Sequence, residues 1–136
     1  LNQQSMDKFE EAVKPLKLMS DCREPKIFRD EYIMGHNVAL QAVALLMHKM
    51  LVKYPDGYRE KLTPLNNHEL LLRDNPDLIG RCVTERLKMT SNQRSVRLTA
   101  YYLMKLCGLD LSPDEQQEES EFINEQARIK QTSTSE

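Results

Sequence analysis

The chain has 136 residues, with 19 Lys and Arg against 21 Asp and Glu, for a formal net charge of −2. That length suits one domain and excludes two independent cores, and 40% apolar with 29% charged residues exclude a disordered or collagenous chain. Near-neutrality also removes the compositional argument for nucleic acid or an anionic membrane as partner.

Gly numbers only 4, Trp is absent and aromatic residues make up 6%. Sandwiches and barrels need β-branched and aromatic strands punctuated by Gly-rich turns, so the composition favours an all-α class. We expect a single helical bundle of five to seven helices around a buried central helix.

In chain order, Leu1 to Ser5 read as a loose leader. Met6, Phe9, Val13 and Leu16 recur at spacings of three and four, which predicts an amphipathic helix over 6–19, kinked or shortened by Pro15. After a break at Cys22 to Pro25, the pattern runs from Lys26 to Tyr54, as one helix or as two joined near Gly35 and Asn37. Within it, twelve of the fifteen residues 38–52 are apolar. A membrane span needs about 20 such residues, and this stretch carries His48 and Lys49, so it is expected to be the buried centre of the bundle, with no membrane contact.

Pro55-Asp56-Gly57 predicts a tight turn. Thr63-Pro64 and the Asn66/Glu69 pair look like helix starts, giving one short helix that carries Leu70, Leu71 and Leu72. Asn75-Pro76 should open a further helix with Leu78, Ile79, Cys82, Val83 and Leu87 on one face. Thr90 and Ser91, with Gln93, cap the next, whose apolar face is Val96, Ala100, Leu103, Met104 and Cys107 and whose end is Gly108. Ser112-Pro113-Asp114-Glu115 combines an N-cap, Pro at the first position and Glu at the third, the strongest local signal in the chain. The division is therefore a bundle core over 6–112, an acidic C-terminal helix over 113–130 and a disordered polar tail over 131–136.

Motifs for chemistry are missing. Cys22, Cys82 and Cys107 form no zinc spacing, and His36, His48 and His68 are scattered. There is no Gly-rich phosphate loop and no Gly-x-Ser-x-Gly elbow. No catalytic residue, metal ligand or cofactor is assigned, and the chain is expected not to be an enzyme. His48 reads as a hydrogen-bonded core or boundary residue.

Charge is balanced in sum but not in space. Six basic residues, Arg81, Arg86, Lys88, Arg94, Arg97 and Lys105, share their stretch with one acid, Glu85. From Asp110 to Glu125 there are seven acids and no base. The plain expectation is that the acidic helix folds back onto its basic neighbours.

By elimination, the sequence suggests a protein–protein interaction domain, a scaffold or adaptor fragment of a larger eukaryotic intracellular protein, cytoplasmic or nuclear. Its basic face would be Arg81, Arg86, Lys88, Arg94, Arg97 and Lys105. Met47 and Met50 would line a groove for a partner's helix or peptide, and Phe122, Ile123 and Ile129 would anchor a partner or a second copy on the acidic helix. Two alternatives remain: a nucleic-acid-binding domain using the 81–105 segment, and a small helical enzyme or enzyme regulatory subunit.

Overall fold

Ala, Leu, Met and Val follow one another from Asn37 to Lys53 and form α1, the longest apolar element among the described residues. In the computed structural model, residues 30–134 are described; the expected 6–19 helix, the leader and Cys22 lie outside them. α1 begins only at Asn37, so a single unbroken helix from Lys26 to Tyr54 does not form, while residues 26–29 lie outside the described ones. A 3₁₀ turn over Ile33–Gly35 precedes α1, and His36 is extended between them, at φ −120° and ψ 146°. At the other end the Tyr54 N–H donates to the Met50 carbonyl at 2.7 Å. Pro55 then stops the helix, because it has no N–H to continue the ladder and disfavours helical backbone in the residue before it.

The stretch after the turn is more broken than expected. One turn of helix, α2 (Tyr58–Lys61), is followed by 3₁₀ turns over Thr63–Asn66 and His68–Leu71. The cap of the last is Asn67, whose Oδ1 accepts from the Glu69 N–H at 3.3 Å, one residue beyond the expected Asn66.

Asn75 does cap, accepting from the Asp77 N–H at 3.0 Å, but only a 3₁₀ turn over Pro76–Leu78 follows. The helix expected to carry Leu78, Ile79, Cys82, Val83 and Leu87 on one face is absent. Gly80 sits at φ +89°, outside helical backbone, and next to it Ile79, Val83 and Thr84 are β-branched. The chain instead doubles back through isolated bridges, Ile79 with Val83 and Val83 with Met89. The Thr84 N–H donates to the Lys88 carbonyl and the Thr90 N–H to the Cys82 carbonyl, both at 2.8 Å. Leu78, Cys82 and Val83 still reach the core, whereas Leu87 is exposed.

α3 (Gln93–Leu106) is capped by Asn92, whose Oδ1 accepts from the Ser95 N–H at 2.8 Å. Thr90, the expected cap, instead pairs its hydroxyl with that of Ser95, also at 2.8 Å. The helix ends as anticipated. Gly108 adopts φ +75°, and Leu109 N–H to Met104 carbonyl (2.9 Å) with Gly108 N–H to Lys105 carbonyl (3.2 Å) complete a Schellman motif. The capping box before α4 (Pro113–Thr134) is reciprocal: Ser112 N–H donates to Glu115 Oε1 at 2.8 Å, and Glu115 N–H to Ser112 Oγ at 3.3 Å. α4 runs four residues past its expected end.

The all-α class stands, with four α-helices and no strand among the described residues. The core is built where α3 lies along α1. Ala39, Ala42, Val43, Leu46 and Met50 from α1 meet Leu98, Ala100 and Leu103 from α3, all at 1% exposure or less. α1 is not buried all round, however: Leu45 and Val52 are 42% and 74% exposed, and His48 is exposed beside them. Among the described residues no helix is long and apolar enough to cross a membrane.

Candidate functional site

Successive basic residues of α3, Arg94, Arg97 and Lys105, are three and eight apart, and Tyr101 falls between the last two. At 3.6 residues per turn these four form one stripe along the helix. α4 places its acids against that stripe. Arg97 donates from Nε and Nη2 to the two oxygens of Glu118 at 2.8 and 3.0 Å, and the Tyr101 hydroxyl donates to the same carboxylate at 2.7 Å. Arg94 Nη2 reaches Glu125 at 3.1 Å, and Lys105 Nζ reaches Glu119 at 2.5 Å. Near the start of α4, Lys49 of α1 pairs with Glu115, which the capping box already holds.

Arg81 is the exception in burial. Its guanidinium grips both oxygens of Glu119 at 2.7 Å, donates to the Leu98 carbonyl at 2.7 Å, and lies 4.6 Å from the centre of the Phe122 ring. Arg81 is 6% exposed and Glu119 fully enclosed. A buried fork of this kind satisfies both charges, and its loss on one side leaves the other stranded.

These contacts set the titration of the acids. The Arg97 hydrogen bond, opposed by partial desolvation and joined by Tyr101, holds Glu118 below the usual carboxylate value. At Glu119 desolvation pushes upward, yet the bonds from Arg81 and Lys105 together outweigh it and the net shift is downward. Glu115 behaves alike, with desolvation outweighed by Lys49 and Ser112. Tyr101 is raised well above an ordinary phenol, first by burial and then by donating to Glu118.

The expected basic face is therefore mostly neutralised within the chain, which is the plain expectation for the two charge blocks. Arg81 is sealed in and cannot reach a partner. Arg94, Arg97 and Lys105 remain partly exposed, at 47%, 43% and 44% of their side chains, but each has an acid from α4. Arg86 and Lys88 are exposed and stand at the tip of the 84–88 turn. Thr84 ties that turn twice more, its carbonyl accepting from Leu87 at 2.9 Å and its hydroxyl from Lys88 at 3.1 Å. Leu87, between the two cations, is held at φ +62°, a strained setting for a branched side chain.

The expected apolar anchors separate in the same way. Met47 and Met50 are core, at 2% and 0% exposure, because α3 fills the groove they were expected to offer. Phe122 is core as well, at 4%, stacked on Arg81. Ile123 and Ile129 remain exposed, at 45% and 40%. Ile123 borders a cavity of about 540 Å³ that Arg81, Lys105, Phe122 and Gln126 also line.

Chemistry of the catalytic kind gathers poorly. His36 lies at the start of α1 against Arg73 Nη2 (2.6 Å), His48 on the outer face of α1, and His68 in a 3₁₀ turn. Among the described residues no group of three or more His, Cys, Asp or Glu could hold a metal ion. Cys82 and Cys107 are free but buried, and burial pushes both thiols up, Cys107 to about 11.

Fold and site together define an all-α domain whose cationic helix is covered by an acidic one. A family model for DndB, described as DNA-sulfur modification-associated, matches residues 3–110, that is 108 of the 136 residues, and the chain belongs to that family. No curated protein and no solved structure matches. Membership overturns the expectation of a eukaryotic scaffold or adaptor and leaves a nuclear address without support. Sequence reasoning missed it because no short motif in the chain signals sulfur chemistry on DNA. The match ends at residue 110, so the acidic residues of α4 lie beyond it.

Proposed function

We propose that the chain is a non-catalytic, DNA-contacting component of a DNA sulfur-modification system in a bacterial cytoplasm. Family membership over most of the chain carries this reading, since it names DNA as the molecule being modified. The tied turn with Arg86 and Lys88 supports it. Two exposed cations held on a short, hydrogen-bonded loop are suited to phosphates, which position a protein on a duplex without reading its sequence. Among the described residues the two thiols, Cys82 and Cys107, are buried and pushed up, which speaks against either as a sulfur nucleophile.

The test is fluorescence anisotropy with a labelled 30-base-pair duplex between 50 and 200 mM salt. Arg86 and Lys88 should contribute about 0.9 each to the slope of log affinity against log salt. The double charge reversal R86E/K88E should therefore flatten the slope by about two and weaken binding at every sequence tried. A slope and affinity that R86E/K88E leaves unchanged would overturn this turn as a DNA contact.

A further inference from the structure

We propose that Arg94 and Arg97 of the α3 stripe form a second nucleic-acid backbone site, occupied in this structure by α4 acting as an internal mimic of one DNA strand. The inference rests on the DNA-contacting role above and adds where a further stretch of backbone would lie and what competes for it.

Charge spacing is the first argument. Asp114, Glu115, Glu118, Glu119, Glu121 and Glu125 place six negative charges over twelve residues, eleven helical steps, of α4. At 1.5 Å rise per residue that is about 16 Å, or roughly one charge per 3.3 Å. A single strand of a DNA duplex carries one charge per about 3.4 Å of axis. The helix thus reproduces the linear charge density of the strand it would replace.

Contact geometry is the second. The two parallel bonds from Arg97 to Glu118 are the fork arginine offers to a phosphate as readily as to a carboxylate. Tyr101, 4% exposed, donates to the same carboxylate from beneath and stays covered while α4 is in place. The row therefore already presents its donors in the geometry an oxyanion needs.

The graded burial of the pairs is the third. Arg94 and Glu125 are each 47% exposed, and Arg97 is 43% exposed, so these partners are solvent-shared and weakly held. Arg81 and Glu119 are enclosed. Exchange therefore needs no departure of α4. Arg94 and Arg97 rotate outward to phosphates while Arg81, Glu119 and Phe122 keep the helix in place. The stripe also lies inside the family match and the acids outside it, so the covering helix is separable in sequence from the surface it covers.

The experiment compares three forms of the full chain: wild type, E118Q/E125Q, and D114N/E121Q as a control. The control removes the same two charges from α4, but from residues whose side chains make no ion pair with α3. Circular dichroism establishes that all three fold. Duplex affinity and its salt dependence are then measured as above. E118Q/E125Q should bind about tenfold tighter at 100 mM salt and steepen the slope by about 1.8, two phosphate contacts at 0.9 each. The control should shift affinity less than threefold and leave the slope unchanged. An equal gain in the control would reduce the effect to net charge and overturn the mimic. Unchanged binding by E118Q/E125Q, with a wild type that binds, would overturn it while leaving the DNA-contacting role intact. Binding by E118Q/E125Q alone would support it as a complete block, and binding by none of the three would remove both.

Discussion

The Arg81 guanidinium and the Glu119 carboxylate meet as a two-pronged pair at 2.7 Å on both prongs, with neither group in appreciable contact with water. Arg81 comes from the irregular segment before α3 and Glu119 from α4, so one ion pair fastens elements 38 residues apart in sequence. Removing one partner leaves a buried charge unpaired, which costs about 3–5 kcal/mol. R81M should therefore lower unfolding stability by that amount in urea titrations. R81M/E119L should cost clearly less than the sum of the two single changes, because the apolar pair strands no charge. Additive losses would show that the two side chains do not act as a unit.

Acid should loosen α4 before it unfolds the core. Glu115, Glu118 and Glu119 all titrate below their ordinary value of 4.5 in the folded protein. Their contribution is complete above about pH 4.5 and is lost as pH falls through the depressed folded values. Amide-exchange protection factors along 113–131 should fall on acidification below pH 4.5 while those of α1 hold. An equal fall in both helices would contradict a selective release.

Leu87 offers a gain rather than a loss. A leucine at φ +62° carries a steric cost that glycine does not, about 1–2 kcal/mol, partly offset by the greater freedom of glycine in the unfolded chain. L87G should raise stability by about 0.5–1 kcal/mol, read as a higher urea midpoint at unchanged m-value. A destabilised L87G would mean that the exposed side chain makes contacts worth more than the strain.

Thiol chemistry supplies an independent probe of the core. Cys82 and Cys107 are enclosed and their thiols are pushed up, Cys107 to about 11. Little thiolate is present at pH 8, so iodoacetamide should modify neither in folded protein and both after denaturation. Peptide mass mapping distinguishes the two sites. Rapid native labelling of Cys107 would show that the end of α3 opens on the labelling timescale.

Local stop and start signals were legible in the sequence, because their physics is local. Gly108, Pro55 and the Ser112 to Glu115 box act through backbone atoms within a few residues of themselves, and each does what its residue type dictates. The 76–88 segment was misread for the opposite reason. Its apolar spacing fits a helix, yet Gly80 leaves helical backbone at φ +89°, and its pairing partners lie in the next turn of chain. Gly80 is also where α4 comes close: a Cβ there would stand 2.6 Å from Gln126 Nε2. That proximity is tertiary and invisible to periodicity. The adjacency of the basic and acidic blocks was readable, but not which charges seal each other, since Arg81 and Arg94 are the same residue type at 6% and 47% exposure. Function was the least legible part, since neither cation clusters nor capping boxes name a substrate.

The pairing between α3 and α4 depends on the rotational phase of a helix whose turns repeat every 3.6 residues. One residue inserted between Glu119 and Glu125 would swing everything beyond it by about 100°, carrying Glu125 off Arg94 while the fork at Arg81 stayed closed. Chain length within this span of α4 is therefore a constraint on drift. Substitutions on its outer surface can accumulate freely, whereas single-residue insertions and deletions there cannot.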